Sequence, residues 1–322
     1  MRKVVFFDTS VGSTNRGDEI IIQAVKTNLH EILTRHYTIT YPTHTPSFHF
    51  YQQRNKHSLY SFACDADYKF IGGTNIINGN MLRIQPTWNV NIFNYHCYQN
   101  AILVGAGSNK NIDSLNIYTR VLLKKILSHS YIHSVRDEKT KKVLTSLGFD
   151  SIVTGCPTLW RLEQSHCKAV PTTKSESVVF TLTHYRRDDI YDQMLVDKLC
   201  KCYKTVYFWS QDYSDFNYFH SLENVENIKV INPSLEAFSA VLQSGVDYVG
   251  TRLHAGVYAM QHKVRTLIII VDNRAYEMNY TSNINAIERT ALDHLEDLVS
   301  GDIHTDIKLD KPKIEEWMSQ FI

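Results

Sequence analysis

The chain has 322 residues, with 34 Lys and Arg against 33 Asp and Glu, which gives a formal net charge of +1. The length predicts two domains, and 43% hydrophobic with 21% charged residues is typical of a folded globular protein, neither disordered nor embedded in a membrane. A charge so balanced supplies no long-range attraction for a polyanion, which argues against nucleic acid as a partner.

The ends of the apolar runs and the cysteines indicate a compartment. The apolar run Val4–Phe7 stops at Asp8, whereas a secretory signal needs roughly 7–15 apolar residues. The 6 cysteines lack CxxC pairs and the spacing of zinc ligands, so we expect reduced thiols and no metal centre. These features predict a cytoplasmic protein.

In the first half of the chain, short apolar runs alternate with longer segments of helical period, which is typical of parallel strands joined by helices. The predicted strands are Lys3–Asp8, Tyr37–Tyr41, Tyr68–Ile71, Ala101–Val104, Tyr131–Val135 and Ser151–Val153. The predicted helices are Asp18–Leu33, Asn89–Tyr98, Leu115–Leu127 and Glu138–Leu147. This order predicts a doubly wound α/β domain over residues 1–166.

Residues 167–177 are polar, contain a proline and lack periodicity, which predicts a linker. The α/β pattern resumes over residues 178–322, with strands Val178–Leu182, Thr205–Trp209, Ile228–Ile231, Tyr248–Val249 and Thr266–Val271 and helices Ile190–Cys200, Leu235–Gln243 and His254–Gln261. Two further helices, Ile287–Leu298 and Ile314–Phe321, are predicted, and the last is expected to pack back on the first domain. Two Rossmann-like domains should face each other across a cleft that binds a ligand at the carboxyl ends of their strands.

The loop after the first strand lacks a phosphate motif. Gly12 and Gly17 have Walker-type spacing, but Asp18 stands where the lysine should be, and there is no GxGxxG. Asp18 is either the N-cap of the next helix or a base that takes a proton from an acceptor hydroxyl, with Asn15 and Gly17 beside it. The sequence leaves both interpretations open.

Arg136 ends a strand directly before Asp137. Its guanidinium either pairs with Asp137 alone or holds a phosphate or carboxylate through two hydrogen bonds. A stronger cluster is the segment DYVGTRLHAG from Asp247, where Arg252 and His254 lie at the start of a predicted helix. Because helix N-termini bind anions, we expect an anion there and a His254 that exchanges protons near neutral pH.

Three segments in this order, Asn15–Glu19, SVRDEKT from Ser134 and GTRLHAGVYAM from Gly250, resemble the polysaccharide pyruvyl transferase family over nearly the whole chain. The resemblance implies a GT-B-like fold, phosphoenolpyruvate as the donor, no cofactor, and formation of a cyclic ketal on a sugar of a surface polysaccharide or its precursor. The residues that handle the donor would be Arg136, Arg252, Leu253 and His254.

The chain also departs from the family pattern. Gly72–Gly73–Thr74 stands where three glycines are expected, and Cys156–Pro157 stands where Asp-Pro is expected. Arg274 replaces a lysine after the last core strand. Gly73 and Arg274 are therefore further candidates for substrate binding.

The expected mechanism has Arg136 and Arg252 hold the donor while His254 protonates its enol carbon and Asp18 deprotonates the acceptor. Two alternatives remain open. One is a GT-B nucleotide-sugar glycosyltransferase, in which Arg252 would hold a diphosphate and Glu236 a ribose. The other is a non-catalytic sugar-binding protein of the same fold.

The acceptor is an expected sugar partner, free or carried on a lipid. Four lysines, Lys124, Lys125, Lys141 and Lys142, are predicted to lie on solvated helix faces. A lipid-linked acceptor would favour weak attraction between such lysines and an anionic membrane, so peripheral contact with the inner membrane face is a further expectation.

Overall fold

A computed structural model describes residues 1–82, 87–109, 112 and 114–321. The chain forms two compact units: unit 1 is Met1–Ser13, Ile21–Trp160 and Asp310–Ile322, and unit 2 is Thr14–Ile20 and Arg161–Leu309. Each unit is thus made of separate segments of the chain, whereas the expected domains, 1–166 and 178–322, are each continuous.

Unit 1 has eight strands in its described residues: β1 (Lys3–Asp8), β2 (Tyr37–Pro42), β3 (Tyr68–Gly72), β4 (Asn75–Ile77), β5 (Ala101–Val104), β6 (Gly107–Ser108), β7 (His133–Val135) and β8 (Ser151–Val153). Its helices are α1 (Arg16–Asn28), which starts among the unit 2 residues, α2 (His30–Arg35), α3 (Phe50–Arg54), α4 (Ser58–Cys64), α5 (Ile117–Ile126) and α6 (Glu138–Ser146). A parallel sheet in the order β2-β1-β3-β5 forms its centre, with β4-β6 and β7-β8 as parallel pairs beside it. Residues Val4–Phe7 are fully buried, as expected of a central parallel strand covered on both faces.

Unit 2 contains the helices α7 (Gln164–Cys167), α8 (Asp189–Cys202), α9 (Tyr213–Phe219), α10 (Leu235–Leu242), α11 (Leu253–Gln261), α12 (Asn273–Ser282) and α13 (Leu295–Ser300). Its strands are β9 (Ser177–Thr181), β10 (Thr205–Trp209), β11 (Lys229–Ile231), β12 (Asp247–Gly250), β13 (Thr266–Ile270) and β14 (Ala286–Glu288). They form one parallel sheet in the order β11-β10-β9-β12-β13-β14. Counted from β9, this is the doubly wound order 3-2-1-4-5-6, whose topological switch point lies between β9 and β12.

The last helix, α14 (Lys311–Ser319), belongs to unit 1, which confirms that it packs back on the first half. Trp317 is fully buried, its ring centroid lies 5.8 Å from that of Trp160, and its Nε1 donates to the carbonyl of Ile132 at 2.8 Å.

Two helix predictions are wrong. Residues 89–98 form only a 3₁₀ turn at Tyr95–Tyr98, because asparagine side chains bind the backbone locally. Asn91 Oδ1 accepts from the amide of Phe93, and Asn94 Oδ1 accepts from that of Asn91, both at 2.8 Å. The predicted helix Ile287–Leu298 begins as β14, since Ile287 pairs with Ile269 at the edge of the unit 2 sheet; it continues as a 3₁₀ turn, Arg289–His294, into α13.

No helix among the residues that the model describes has the length and apolar character needed to cross a membrane.

Candidate functional site

The loops that follow β9 and β12 meet at the switch point of unit 2. The Thr183 and Thr251 hydroxyls lie 2.9 Å apart, and the amide of Arg252 donates to Thr181 Oγ1 at 3.2 Å. Gly250 is needed here, because a Cβ at this position would lie 2.4 Å from Thr181 Oγ1 and 2.7 Å from the Thr181 amide nitrogen. Ligands of open α/β sheets bind at this place, outside the carboxyl ends of the strands.

Arg252 ends in a buried ion pair. Its Nε donates to Asp215 Oδ2 at 2.8 Å, and its Nη2 donates to Asp215 Oδ1. The two side chains are 3% and 0% exposed, and Nε also approaches the carbonyl of Leu182 at 3.2 Å. Within the described part of the chain, no residue accepts from Nη1, so the carboxylate fixes the guanidinium and leaves one nitrogen for another anion.

Asp215 also orients a histidine. Its Oδ1 accepts from both Nδ1 and the backbone amide of His184 at 3.1 Å, and its Oδ2 accepts from the amide of Asp212 at 3.1 Å. Because an ionised carboxylate only accepts, the bond assigns the neutral imidazole its proton on Nδ1 and leaves the Nε2 lone pair for a ligand. The His184 side chain is 32% exposed, so solvent or a substrate can reach the imidazole.

Tyr185 links this cluster to the next strand end. The Arg252 Cζ lies 5.0 Å from the centre of the Tyr185 ring, and Arg274 Nη2 donates to the Tyr185 hydroxyl at 2.7 Å. Arg274 also pairs with Asp272 at 2.7 Å. Burial alone would raise the pKa of Asp272, but Arg274 and the amides of Arg274 and Ala275 more than offset it and lower that pKa. The predicted residues Arg252 and Arg274 therefore lie along one sheet edge, joined by a tyrosine.

Leu253 and His254 form the first turn of α11, immediately after Arg252. Both side chains are 7% exposed. The helix packs closely on the sheet at Gly256, where a Cβ would lie 2.6 Å from Ile268 Cγ1. This contact fixes the start of α11, and with it the position of His254, against the strands.

Asp18 does not cap α1, so that one of its two interpretations is wrong, because α1 begins at Arg16. The cap is Asn15, whose Oδ1 accepts from the Gly17 amide at 2.9 Å and whose carbonyl accepts from the Asp18 amide at 3.0 Å. Asn15 Oδ1 also accepts from Gln211 Nε2 at 2.9 Å, and the Arg16 amide donates to the Gln211 carbonyl at 2.8 Å. Asp18 lies in the first helical turn, where a carboxylate is favoured by the helix dipole.

Arg136 lies in unit 1 and is 13% exposed. Its Nη2 donates to Asn75 Oδ1 at 2.7 Å, and Asp137 is farther away, at 3.6 Å. Asp137 instead caps α6 by accepting from the amide of Thr140 at 2.7 Å, so an ion pair with Asp137 does not fully explain Arg136. The guanidinium lies against Gly107, where a Cβ would lie 2.4 Å from Nη2.

The glycine loop after β3 supports this arrangement. A Cβ at Gly73 would lie 2.9 Å from the carbonyl oxygen of Gly105, so the loops after β3 and β5 can approach only without a side chain there. Thr74, the next residue of this loop, has a φ of 149°. That value lies in the region that residues with a Cβ rarely adopt.

Four residues of these clusters are absent from the sequence prediction: Asn75, His184, Tyr185 and Asp215. His184 and Tyr185 follow the predicted strand Val178–Leu182, so the rule that selected the other strand ends applies to them as well. Asp215 gives only the signal of a capping box with Asp212 at the start of α9. The described residues include no group of three or more His, Cys, Asp or Glu that could hold a metal ion.

A family model described as polysaccharide pyruvyl transferase matches residues 15–273. The chain is also similar to two structures of UDP-GlcNAc 2-epimerase from Methanocaldococcus jannaschii. One covers 99% of both chains at 14% identity with a TM-score of 0.55. The other, a complex with UDP-GlcNAc and UDP, covers 98% of both chains at 12% identity with a TM-score of 0.51. These likenesses confirm the GT-B-like fold of two Rossmann-like domains, and no significant match was found among curated proteins.

Proposed function

We propose, from the premise that the chain belongs to the polysaccharide pyruvyl transferase family, that it transfers the pyruvyl group of phosphoenolpyruvate to two hydroxyls of one sugar. The product is a cyclic ketal on a surface polysaccharide or its precursor, and phosphate is released. The family is a transferase family, so group transfer follows from membership; the donor and the ketal are the proposal.

The observation that carries the proposal is the orientation of Arg252 at the switch point of unit 2. Asp215 holds Nε and Nη2, and Nη1 is left to contact a phosphate or a carboxylate. Arg274 supplies a second cation along the same sheet edge. Phosphoenolpyruvate carries both kinds of anion, and each charge-assisted hydrogen bond contributes roughly 1.5–3 kcal/mol. In this proposal Leu253 lines the donor site in unit 2, and Arg136 and Gly73 are substrate-binding residues of unit 1.

The chemistry requires three proton transfers, one to C3 of the donor and one from each of the two acceptor hydroxyls. In the first step, His254 gives a proton to C3 of the enol while one sugar hydroxyl oxygen bonds to C2 and loses its proton to a base. In the second step, another hydroxyl oxygen bonds to C2 and gives its proton to the departing phosphate as the bond from C2 to the phosphate oxygen breaks, which closes the ketal. The base is His184 through Nε2 or Asp18, with Asn15 and Gly17 shaping the turn that carries Asp18. General acid or base catalysis of this kind contributes roughly 10²–10⁴ in rate.

Phosphate release from phosphoenolpyruvate, measured with a panel of sugar acceptors, tests the proposal. Arg252→Ala and His254→Ala should each lower the rate by about 10² or more. His294→Ala is the matched control, because His294 is exposed at the end of a 3₁₀ turn and takes part in none of the contacts described above. Near-normal phosphate release by the first two variants would contradict the assignment.

A nucleotide-sugar glycosyltransferase is the second candidate. The 3-2-1-4-5-6 strand order of unit 2 favours it, because this is the order of dinucleotide-binding folds. Glu236, the expected ribose ligand, lies exposed in the first turn of α10. Titration calorimetry separates the two: the pyruvyl transferase binds phosphoenolpyruvate and not UDP, and the glycosyltransferase shows the reverse.

A further inference from the structure

One face of α5 is exposed and amphipathic along its length. The exposed residues recur at helical spacing, and we refer to them as the α5 face: Ile117, Arg120, Val121, Lys124 and Lys125. Ile117 is 82% exposed and Val121 is 47% exposed. The opposite side of the helix is buried in unit 1, so the apolar side chains of the α5 face are not needed for its core.

Two loops extend this surface with further apolar side chains. The Ile92 amide donates to the Tyr118 hydroxyl at 3.2 Å, which holds the 91–94 loop beside α5, and Phe93 in that loop is 77% exposed. On the other flank, the Met81 amide donates to Thr119 Oγ1 at 2.8 Å, and the next residue, Leu82, is 67% exposed. Single exposed apolar residues are common, but several on adjoining elements mark an interaction surface.

The charge of this part of the chain is strongly one-sided. Residues 68–136 contain seven Lys or Arg and one Asp, a net charge of +6, although the whole chain carries +1. Arg120, Lys124 and Lys125 place three of these cations on the α5 face. Lys125 Nζ lies 5.1 Å from the centre of the Tyr95 ring, which orients it over the 3₁₀ turn beside α5.

We propose that the α5 face, with Leu82, Ile92 and Phe93, docks on an anionic lipid bilayer. Apolar and aromatic side chains flanked by Lys and Arg suit the boundary between headgroups and acyl chains, where the rings enter and the cations meet lipid phosphates. A second copy of the chain fits less well, because a two-fold contact would bring these cations against their own copies.

The surface adjoins loops that carry a site residue. The amide of Asn116, which caps α5, donates to the Gly79 carbonyl at 3.1 Å, and its Nδ2 donates to Asn80 Oδ1 at 2.8 Å. These residues follow β4, whose first residue, Asn75, holds Arg136. A bilayer bound at α5 would therefore present the headgroup sugar of a lipid-linked acceptor near this end of unit 1. This last consequence alone rests on the proposed function.

Co-sedimentation with sucrose-loaded vesicles tests the docking directly and needs no substrate. We expect the protein to pellet with vesicles of equimolar phosphatidylglycerol and phosphatidylcholine, but not with phosphatidylcholine alone. Binding should weaken steeply as salt rises, because the Debye length falls from about 10 Å at 0.1 M to about 3 Å at 1 M. The double variant Lys124→Glu and Lys125→Glu should bind the anionic vesicles roughly 30-fold or more weakly, since each cation near an anionic surface contributes about fivefold in affinity.

The apolar part of the surface has its own test. The double variant Phe93→Ser and Ile117→Ser should bind the vesicles about tenfold more weakly. The control double variant Ile190→Ser and Tyr280→Ser should bind them as the unaltered protein does. Ile190 and Tyr280 are 76% and 83% exposed in unit 2, so the control pair matches in exposure. Unchanged circular dichroism would show that all three double variants fold.

Failure to bind anionic vesicles at low salt would overturn the proposal. So would binding that neither surface variant reduces. The oligomeric state of the same variants should be measured by light scattering. If the α5 face joined two copies, the double variant Phe93→Ser and Ile117→Ser would be monomeric and would still bind vesicles. That result would also overturn the proposal. Each result is independent of whether the protein turns over phosphoenolpyruvate.

Discussion

Replacing Asp215→Asn should disable the unit 2 site while preserving the shape of the side chain. Among the residues that the structure describes, the five groups that approach the Asp215 carboxylate are all N–H donors. Oδ1 faces three of them, from His184 and Arg252, and Oδ2 faces two, from Arg252 and Asp212. Either orientation of an asparagine amide therefore places its NH₂ group against at least two donors, and it leaves the buried Arg252 without a counter-charge.

The expected cost follows from burial. Removing one partner of a buried ion pair destabilises a fold by about 3–5 kcal/mol, because the other charge stays desolvated. The Arg252 and Asp215 side chains are 3% and 0% exposed, so solvent cannot compensate. We expect the free energy of unfolding of unit 2 to fall by about 3 kcal/mol or more, and the affinity for phosphoenolpyruvate to fall by at least about tenfold as the guanidinium moves.

A second buried pair in the same unit separates the two effects. Arg265 donates to Asp247 at 2.7 Å, both side chains are 2% exposed, and Asp247 also accepts from the Tyr203 hydroxyl at 2.8 Å. Asp247 is the first residue of β12 and Arg252 follows its last, so the two pairs lie at opposite ends of that strand. Asp247→Asn should therefore destabilise unit 2 by a similar amount and leave ligand affinity unchanged.

Denaturant unfolding measures the free energy of unfolding of each variant. Titration calorimetry with phosphoenolpyruvate, at a temperature where the variant is folded, measures its ligand affinity. If Asp215→Asn bound the ligand as tightly as Asp247→Asn, the carboxylate would serve only the fold. If Asp215→Asn left stability unchanged, the argument from five converging donors would be wrong.

Three other perturbations address unit 1. Burial lowers the pKa of His133 from 6.5 to about 4, so the stability that its neutral form contributes is complete above pH 6.5 and is lost as the pH falls. The loss should reach about 3 kcal/mol at pH 4, and His133→Gln should flatten the dependence of the free energy of unfolding on pH. Thr74→Gly should raise the free energy of unfolding by about 1 kcal/mol, because glycine adopts a φ of 149° without strain and part of the gain is offset by its entropy; a loss of stability would contradict the strain. Gly107→Ala should push the Arg136 guanidinium off Asn75 and lower kcat/KM about tenfold, with melting temperature little changed, and a normal kcat/KM would show that Arg136 need not be held there.

The strands of both units were largely predictable from sequence, because buried parallel strands are continuous apolar runs. Residues Thr266–Ile270 are all buried, and the prediction ran only one residue past β13. The segment from Asn89 to Tyr98 has a periodicity that predicts a helix, whereas its asparagine side chains hydrogen-bond to the backbone locally and prevent one. The helix predicted from Ile287 was wrong because a β-branched residue at a sheet edge and one on a helix have the same local pattern.

For the candidate site, the sequence singles out candidate residues but not the side chains that they contact. Arg252 and His254 stand out because they follow a strand and open a helix. Asp215 lies 37 residues before Arg252 and 31 after His184, and its local sequence is that of an ordinary helix cap. Only the fold brings these three together, since no local propensity depends on contacts at such separation.

The return of α14 to unit 1 has a consequence for synthesis on the ribosome. The indole of Trp317 fills the space beside Trp160, yet it is translated only after every residue of unit 2. Unit 1 therefore keeps an apolar surface exposed until the whole of unit 2 has been synthesised. Chaperone dependence in the cell should accordingly concentrate on nascent chains that stop short of residue 310, and truncation there should yield aggregation instead of a smaller folded protein.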